Sequence, residues 1–192
     1  LSEQGDNEAA EPMFRHVLEL RRKHLGEDHP KVATSLHQLA TALRHLGKYE
    51  EARRLLDEAL ELWRRHLGQG HRSVGIGLNS LGELLISIGD LEQAELETRK
   101  ALDLLRSAAV PEDHWRIARA RNTLGACLTE LGRFQEAEVE LLASYPVLRE
   151  ETGERSPYTQ TALQRLVDLY EAWGKPEKAA EYRALLDEAA AS

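Results

Sequence analysis

A short glycine-containing motif recurs along the chain at an almost constant interval, and this periodicity restricts the fold more than any other feature. The motif reads LGKYEEA from Leu46 to Ala52, and its glycine recurs 42, 43 and 42 residues further along. Self-similarity at a period of this length indicates a repeat protein, in which one small unit is stacked several times. The four copies and a fifth, more divergent one begin at Leu46, Ile88, Leu131, Trp173 and Gln4.

Each interval between these motifs carries two stretches with apolar residues at helical spacing. In the first full unit, Asp28 or His29 is placed to cap a helix that starts at Pro30. Gly47 can adopt the left-handed conformation that ends such a helix. Leucines and alanines recur every three or four residues in between, as they do in a helix with one buried face. The sequence therefore predicts an all-α solenoid of stacked antiparallel helix pairs.

The repeat markers divide the chain into four full units preceded by a half unit, all within one domain, 1–192. Residues 1 to 4 read as the end of a first helix, and the chain opens on Leu1, so we expect the native start to lie further upstream. The second helix of this half repeat would then expose an apolar face with Met13, Phe14, Val17 and Leu18, which favours a homodimer. The predicted units are 1–25, 26–67, 68–109, 110–152 and 153–192.

Rows of small residues at equivalent positions predict that the paired helices approach closely. One row lies on the first helices and a second on the second helices. No single unit can bury such rows, and stacking makes them continuous. The rows are Ala40, Gly82, Gly125 and Val167, followed by Ala52, Ala94, Ala137 and Ala179.

Three departures from the repeat pattern predict local irregularity. Arg121 stands in a row of leucines, and Gly75 and Gly77 fall inside the start of a helix, where each costs about 1 kcal/mol relative to alanine. Pro146 interrupts the second helix of the third full unit and is expected to bend or break it.

Composition argues against several classes of partner. The net charge of −8 and the pI near 5.5 disfavour nucleic acid, whose binding depends on clustered lysine and arginine. The chain lacks a run of 18 apolar residues, so we expect no membrane span. The single cysteine, Cys127, suits a reducing compartment, and we expect a cytoplasmic location.

The glycine turn, the paired small rows and the helix pairs resemble the tetratricopeptide repeat. The 42-residue period, the Asp-His-Pro loop at Asp28 to Pro30 and the Leu-Asn-x-Leu core at Leu78 to Leu81 resemble its kinesin-light-chain type, over essentially the whole chain. The resemblance implies a right-handed superhelix whose first helices line a concave groove that takes peptides or extended protein segments.

On this resemblance, the polar columns beside the core stripe of the first helices are expected to face the groove. Asn79 and Asn122 stand at the asparagine of the repeat core, where an amide could pair with the backbone of an extended peptide. Solvated groove lining is the alternative reading of the same residues. The predicted groove residues are Thr34, His37, Thr41, Arg44, Ile76, Asn79, Glu83, Arg119, Asn122, Thr161, Gln164 and Asp168.

These columns also suggest a charge gradient along the groove. His37, Arg44 and His45 make the first full repeat basic, whereas Asp168 and Glu171 make the last one acidic. Such polarity would orient a bound peptide. Chance scatter in a charge-rich chain accounts for the pattern equally well.

No motif in the sequence predicts catalysis, a cofactor or a metal site. The histidine pairs at His24 and His29 and at His66 and His71 recur because the repeat recurs, and no converging ligands accompany them. Cys127 falls beside the buried stripe, where an inert packed thiol is usual. The leading hypothesis is a non-catalytic scaffold for protein–protein interaction. The alternative is a regulatory or oligomerising arm of a larger signalling enzyme, such as a bacterial kinase or ATPase.

Overall fold

The computed structural model describes residues 3–191, and within them the chain is built from α-helices joined by short loops. Helix α1 packs against α2, and the helices that follow α1 form antiparallel pairs, α2 with α3 through α8 with α9. This confirms the predicted all-α solenoid. The helices are α1 Glu3–Leu25, α2 Pro30–His45, α3 Tyr49–Leu67, α4 Arg72–Ile88, α5 Leu91–Ser107, α6 Trp115–Glu130, α7 Phe134–Thr152, α8 Pro157–Ala172 and α9 Pro176–Ala191.

The pattern of helix contacts divides the solenoid into an inner and an outer layer. Helices α2, α4, α6 and α8 each contact the next in this series, whereas α3, α5, α7 and α9 make no such mutual contacts among the described residues. Helices that touch on one side and separate on the other produce a curved stack. The even-numbered helices therefore line the concave side, as the family resemblance implied.

A side chain directly before each inner helix caps its first turn. In three of the four cases a histidine Nδ1 accepts a hydrogen bond of 3.1 Å from the backbone N–H two residues later. Before α8, Ser156 Oγ accepts one from Thr159 at 3.2 Å. Of the two cap candidates for α2 the structure selects the histidine, and Asp28 instead pairs with Arg65 of α3. The capping histidines are His29, His71 and His114.

The turn between the helices of each pair uses a glycine in the left-handed region, as predicted. Gly47 has φ of 72°, and the next residue, Lys48, donates its backbone N–H to Leu43 O at 2.9 Å. The divergent fifth motif behaves differently, because Gln4 and Gly5 lie inside helix α1 and form no turn. The reading of residues 1 to 4 as the end of an earlier helix is therefore wrong for residues 3 and 4.

The helix glycines mark places where a side chain would collide with the neighbouring helix. A Cβ added to Gly77 would lie 2.7 Å from Leu60 Cδ2 on α3, and one added to Gly125 would lie 2.5 Å from Leu141 Cγ on α7. A Cβ at Gly82 would overlap Thr98 Oγ1 on α5. The predicted close approach of small rows is confirmed. Tight packing also explains why the helix tolerates the intrinsic cost of these glycines.

Helix α7 runs unbroken from Phe134 to Thr152, so the predicted break at Pro146 is wrong. Proline removes one hydrogen bond, the one to the carbonyl of Leu142, and this residue is exposed on the outer surface. Arg121, the departure from the leucine row, is half-buried and pairs with Glu112 at 2.9 Å. The charge therefore has a carboxylate partner, although Arg121 Nε is buried without a hydrogen-bond partner among the described residues.

Candidate functional site

The concave side of the stack holds a cavity of about 570 Å³, within the range of ligand-binding pockets. Side chains reach it from α1, from every inner helix (α4 contributes Glu83 alone) and from α7 through Leu148. Apolar groups form part of its wall, and polar and charged groups form the rest. The lining residues are Phe14, His37, Gln38, Thr41, Ala42, Arg44, His45, Glu83, Arg119, Asn122, Leu148, Pro157, Tyr158, Thr161 and Arg165.

Glu83 lies at the centre of the charged part and is buried, with 7% of its surface exposed. Arg119 donates two hydrogen bonds to this carboxylate, from Nε at 3.2 Å and from Nη2 at 2.9 Å. Arg44 donates a third at 3.3 Å. Burial alone would raise the pKa of Glu83, but Arg119 and Arg44 outweigh it and hold this pKa far below the ordinary value. The carboxylate therefore stays ionised and joins α2, α4 and α6.

Arg165 on α8 is the third guanidinium at the cavity, and it differs from the other two. Its Nη1 donates to Asn122 Oδ1 at 2.7 Å, and no carboxylate of the described residues forms an ion pair with it. Burial lowers the pKa of Arg165 to about 10. The carboxylate of Glu83 acts in the opposite direction, and the positive charges of Arg44 and Arg119 lower this pKa further. The group is still protonated near neutral pH. We call Arg44, Arg119 and Arg165, together with Glu83, the arginine cluster.

His37 forms the neutral edge of this cluster. Its Nε2 lies 2.8 Å from Ser80 Oγ, and its ring packs against Trp63 with centroids 5.5 Å apart. Burial lowers the pKa of His37 to about 4, and the nearby Arg119 contributes in the same direction. His37 is thus uncharged near neutral pH, so it adds no positive charge to the cavity.

An aromatic wall faces the cluster on the side of α6 and α8. The guanidinium of Arg119 lies over the ring of Tyr158, 5.5 Å from its centroid. Trp115 packs on the same tyrosine at 5.3 Å, and Arg116 covers the outer face of that tryptophan at 4.4 Å. Tyr158 therefore presents an apolar surface beside charged donors, which is a common composition for recognition sites.

The structure brings only part of the predicted groove together. Asn79 is buried behind the cavity, Ile76 is partly buried outside it, and Thr34, Gln164 and Asp168 are exposed away from its wall. The predicted residues that do line it are His37, Thr41, Arg44, Glu83, Arg119, Asn122 and Thr161.

The two asparagines singled out for peptide pairing are committed to contacts inside the protein. Asn79 is 3% exposed and donates to Glu83 at 3.4 Å. Asn122 is 2% exposed, accepts from Arg165 and donates to Ser144 at 3.1 Å. Asn122 lines the cavity, but its amide oxygen and nitrogen are already engaged by Arg165 and Ser144. Asn79 lies outside the cavity wall, and its Oδ1 is buried without a hydrogen-bond partner among the described residues.

Sequence reasoning missed Arg165 and Tyr158. The sequence did contain a signal for the arginine. The residue directly after the position of Asn79 and Asn122 is polar in every full repeat, although it lies next to an apolar core position of the first helix. That column consists of Gln38, Ser80, Thr123 and Arg165.

The charge gradient is replaced by a different arrangement at the cavity. Arg165 carries positive charge into it from the last repeat, while Asp168 and Glu171 lie outside its wall. His37 is neutral for the reason given above. The cavity is therefore basic at both ends, although the chain as a whole is acidic.

The remaining sequence candidates have structural roles. Cys127 is buried, its Sγ donates to Leu91 O at 3.2 Å, and burial raises its pKa to about 11, so it remains a thiol. Two histidines of the predicted pairs cap helices. Among residues 3–191 we find no cluster of histidine, cysteine and carboxylate groups with metal-binding geometry, and no helix of this part is long and apolar enough to cross a bilayer.

Among known protein families, a model for the tetratricopeptide repeat matches residues 1–54, 32–107 and 116–182. The chain belongs to the tetratricopeptide repeat family. Proteins of this family are generally scaffolds for protein–protein interaction. Curated protein sequences give no match.

Solved structures share the fold at low sequence identity. BtubC (BKLC) from P. vanneervenii is 20% identical with a TM-score of 0.71, and the match covers 98% of this chain and 75% of that one. A kinesin-light-chain protein of Podosopora anserina with nearly identical TPR-like repeats is 20% identical, with a TM-score of 0.64 and coverage of 97% and 88%. The Podosopora protein shows that the fold of this chain matches that of kinesin-light-chain repeats. A Rap protein complexed with Competence and Sporulation Factor is 21% identical with a TM-score of 0.82, and the match covers 98% of this chain but 50% of the Rap chain.

Proposed function

We propose that this chain binds an extended protein segment in the concave cavity, as a non-catalytic scaffold. The observation that carries the proposal is the cavity itself, since one space is shared by side chains from α1, α2, α4, α6, α7 and α8. The concave surface of a repeat stack is continuous, so an extended segment seated in the cavity can also contact the repeats on either side of it. The Rap neighbour, with its bound factor, is consistent with this use of the fold.

The proposal is tested by selecting displayed random peptides on the wild-type chain and on a variant with a filled cavity. Peptides of about 12 residues span up to about 40 Å when extended, enough to cross several repeats. Thr161→Trp places a large ring at an exposed position of the cavity wall. We expect peptides enriched on the wild type to lose binding to this variant.

The matched control is Gln135→Trp, which adds the same ring at an exposed position of α7 away from the cavity. It should leave peptide binding unchanged. Equal binding of the selected peptides to Thr161→Trp and wild type, or no enrichment at all, would show that the cavity is not a peptide site.

A second function, self-association as part of a larger assembly, is favoured by helix α1. Leu18 packs into the core, but Met13 is 69% exposed and Leu20 is 41% exposed on the other side of the helix. Sedimentation velocity at high micromolar concentration tests it. We expect a dimer that Met13→Glu/Leu20→Glu converts to a monomer, while Val139→Glu, at an equally exposed apolar position on α7, does not. A monomeric wild type would contradict the proposal.

A further inference from the structure

The arginine cluster carries more positive charge than the protein neutralises. Three guanidinium groups face one buried carboxylate, and that carboxylate already receives hydrogen bonds from Arg119 and Arg44. Among the described residues, the amide oxygen of Asn122 is the only hydrogen-bond partner of Arg165. Buried charges in folded proteins are ordinarily paired, because an uncompensated charge is costly in a low-dielectric environment.

The surroundings of Arg165 show which direction is open for a partner. Asn122 occupies Nη1 from the protein side, and the residue as a whole lines the cavity. Asp168, one helical turn away on α8, attracts Arg165 electrostatically, but its carboxylate accepts from Gln164 at 2.8 Å and forms no ion pair with the arginine. The free donors of Arg165 are therefore available to a group that enters the cavity.

We infer that the cavity recognises an acidic segment, with Arg165 as the anchor for an anionic oxygen group and Arg44 and Arg119 as supporting donors. This inference rests on the proposed function and names the chemistry of the segment. Guanidinium groups bind carboxylates and phosphates through paired, charge-assisted hydrogen bonds, so both sources of anionic oxygen fit. Two uncompensated positive charges match two adjacent carboxylates or one phosphorylated side chain.

Glu83 gives the cluster its selectivity. It holds Arg119 in a bidentate pair and Arg44 in a single one, so these side chains are ordered before the ligand arrives. Preorganised donors lose little conformational entropy on binding. The same carboxylate repels an anion that approaches too deeply, which confines the ligand to the side of Arg165 and the Tyr158 ring.

The test uses four pools of peptides of about 12 residues. The pools have randomised flanks and differ only at the centre, which is Asp–Asp, Ser–phosphoserine, Asn–Asn or Lys–Lys. Binding to the wild type is measured by fluorescence anisotropy at low and high salt. We expect the two anionic pools to bind at least about tenfold more tightly than the Asn–Asn pool, with an advantage that shrinks as salt screens the charges. The stronger of the two anionic pools distinguishes carboxylate from phosphate.

Variants assign this preference to the anchor residue. Arg165→Gln removes the charge but keeps a donor toward Asn122, and it should reduce the preference to within about threefold. Arg165→Lys should retain most of it. Arg155→Gln makes the same charge change at an exposed residue before α8 and should have no effect. Circular dichroism verifies that each variant is folded.

The outcomes separate this inference from the proposed function. Pools that bind the wild type equally, but fail on Thr161→Trp, would overturn the acidic preference and leave the cavity as a peptide site. A preference that survives in Arg165→Gln would overturn the assigned anchor. Pools that bind Thr161→Trp as well as wild type, or bind neither, would overturn both ideas.

Discussion

Two buried regions of this solenoid are built on opposite rules. The glycine seam, formed by the contacts of Gly82 with Thr98 and of Gly125 with Leu141, occurs at the same position in successive repeats. The arginine cluster occurs once, because its central column reads Thr41, Glu83, Ala126 and Asp168 in the four full repeats. What is repeated specifies how helices stack, and what is unique can specify a partner.

The energetic difference follows from the chemistry of each region. The glycine seam is held by van der Waals contact, so its stability depends on volume. The arginine cluster is held by charge in a low-dielectric environment, so its stability depends on protonation state and on the presence of every partner. Volume changes should therefore disturb the first region, and charge or pH changes the second.

The largest effect is expected when the central carboxylate is neutralised. Glu83→Gln leaves three guanidinium groups close together without a counter-charge, and we expect the free energy of unfolding to fall by about 3–5 kcal/mol. Chemical denaturation monitored by circular dichroism measures this loss.

Glu97→Gln is the matched control. Glu97 is 8% exposed, almost the same as Glu83, but Lys100, the cation that pairs with it in the described part of the chain, is half exposed. We expect the control to lose less than about 1 kcal/mol. Equal losses would mean that burial alone, and not the cluster, sets the cost.

The second prediction concerns pH and tests whether His37, which lies beside the arginine cluster, is uncharged in the folded protein. Below its ordinary pKa of 6.5 the unfolded chain binds a proton at His37, whereas the folded chain does not until about pH 4. The unfolded state therefore gains protons first, and stability falls as the pH decreases from 6.5 to 4. We expect this group to account for about 2–3 kcal/mol over that range.

His37→Gln should remove this part of the pH dependence, which is measured by urea denaturation at a series of pH values. His16→Gln, at an exposed position of α1, serves as the control and should leave the profile unchanged. A His37→Gln profile that parallels the wild type below pH 6.5 would show that the histidine titrates normally in the folded protein.

The third prediction tests the glycine seam by changing volume alone. Gly82→Ala places a methyl group against Thr98 Oγ1, and we expect it to destabilise the protein by about 2 kcal/mol despite the better helix propensity of alanine. Thr98 Oγ1 is itself buried without a hydrogen-bond partner, so Thr98→Ala should cost little. Thermal denaturation of the double variant Gly82→Ala/Thr98→Ala should show recovery to at least wild-type stability. A double variant whose loss of stability equals the sum of the losses in the two single variants would contradict the steric explanation.

The same contrast explains how far the sequence could be interpreted. The solenoid, the turn glycines and the small rows were predictable because each signal occurs several times at one period. The predictions that failed concern single positions. Helix α7 continues through Pro146, and Gly5 lies within α1. The backbone conformation at each of these positions depends on neighbouring residues that the periodic pattern does not specify.

The candidate site was predicted only in part for a related physical reason. Helical periodicity places Arg44, Glu83 and Arg119 on the inner face, but it does not show that they converge on one carboxylate. That convergence depends on the curvature of the stack and on side-chain reach across repeats. Asn122 lines the cavity, but periodicity does not show that its amide accepts from Arg165 and donates to Ser144 on two other helices.

The smallest expected effect concerns the helix caps, where a repeated position is filled by two residue types. If repeated positions specify architecture alone, the serine used before α8 should replace a histidine cap. His71→Ser should therefore retain wild-type stability, whereas His71→Ala removes the acceptor for the N–H of Ser73 and should cost about 1 kcal/mol. Thermal denaturation at neutral pH measures both, and peptide binding should be unchanged in either variant because His71 lies outside the cavity wall. A loss of peptide binding without a loss of stability in His71→Ser would show that this repeated residue also contributes to recognition.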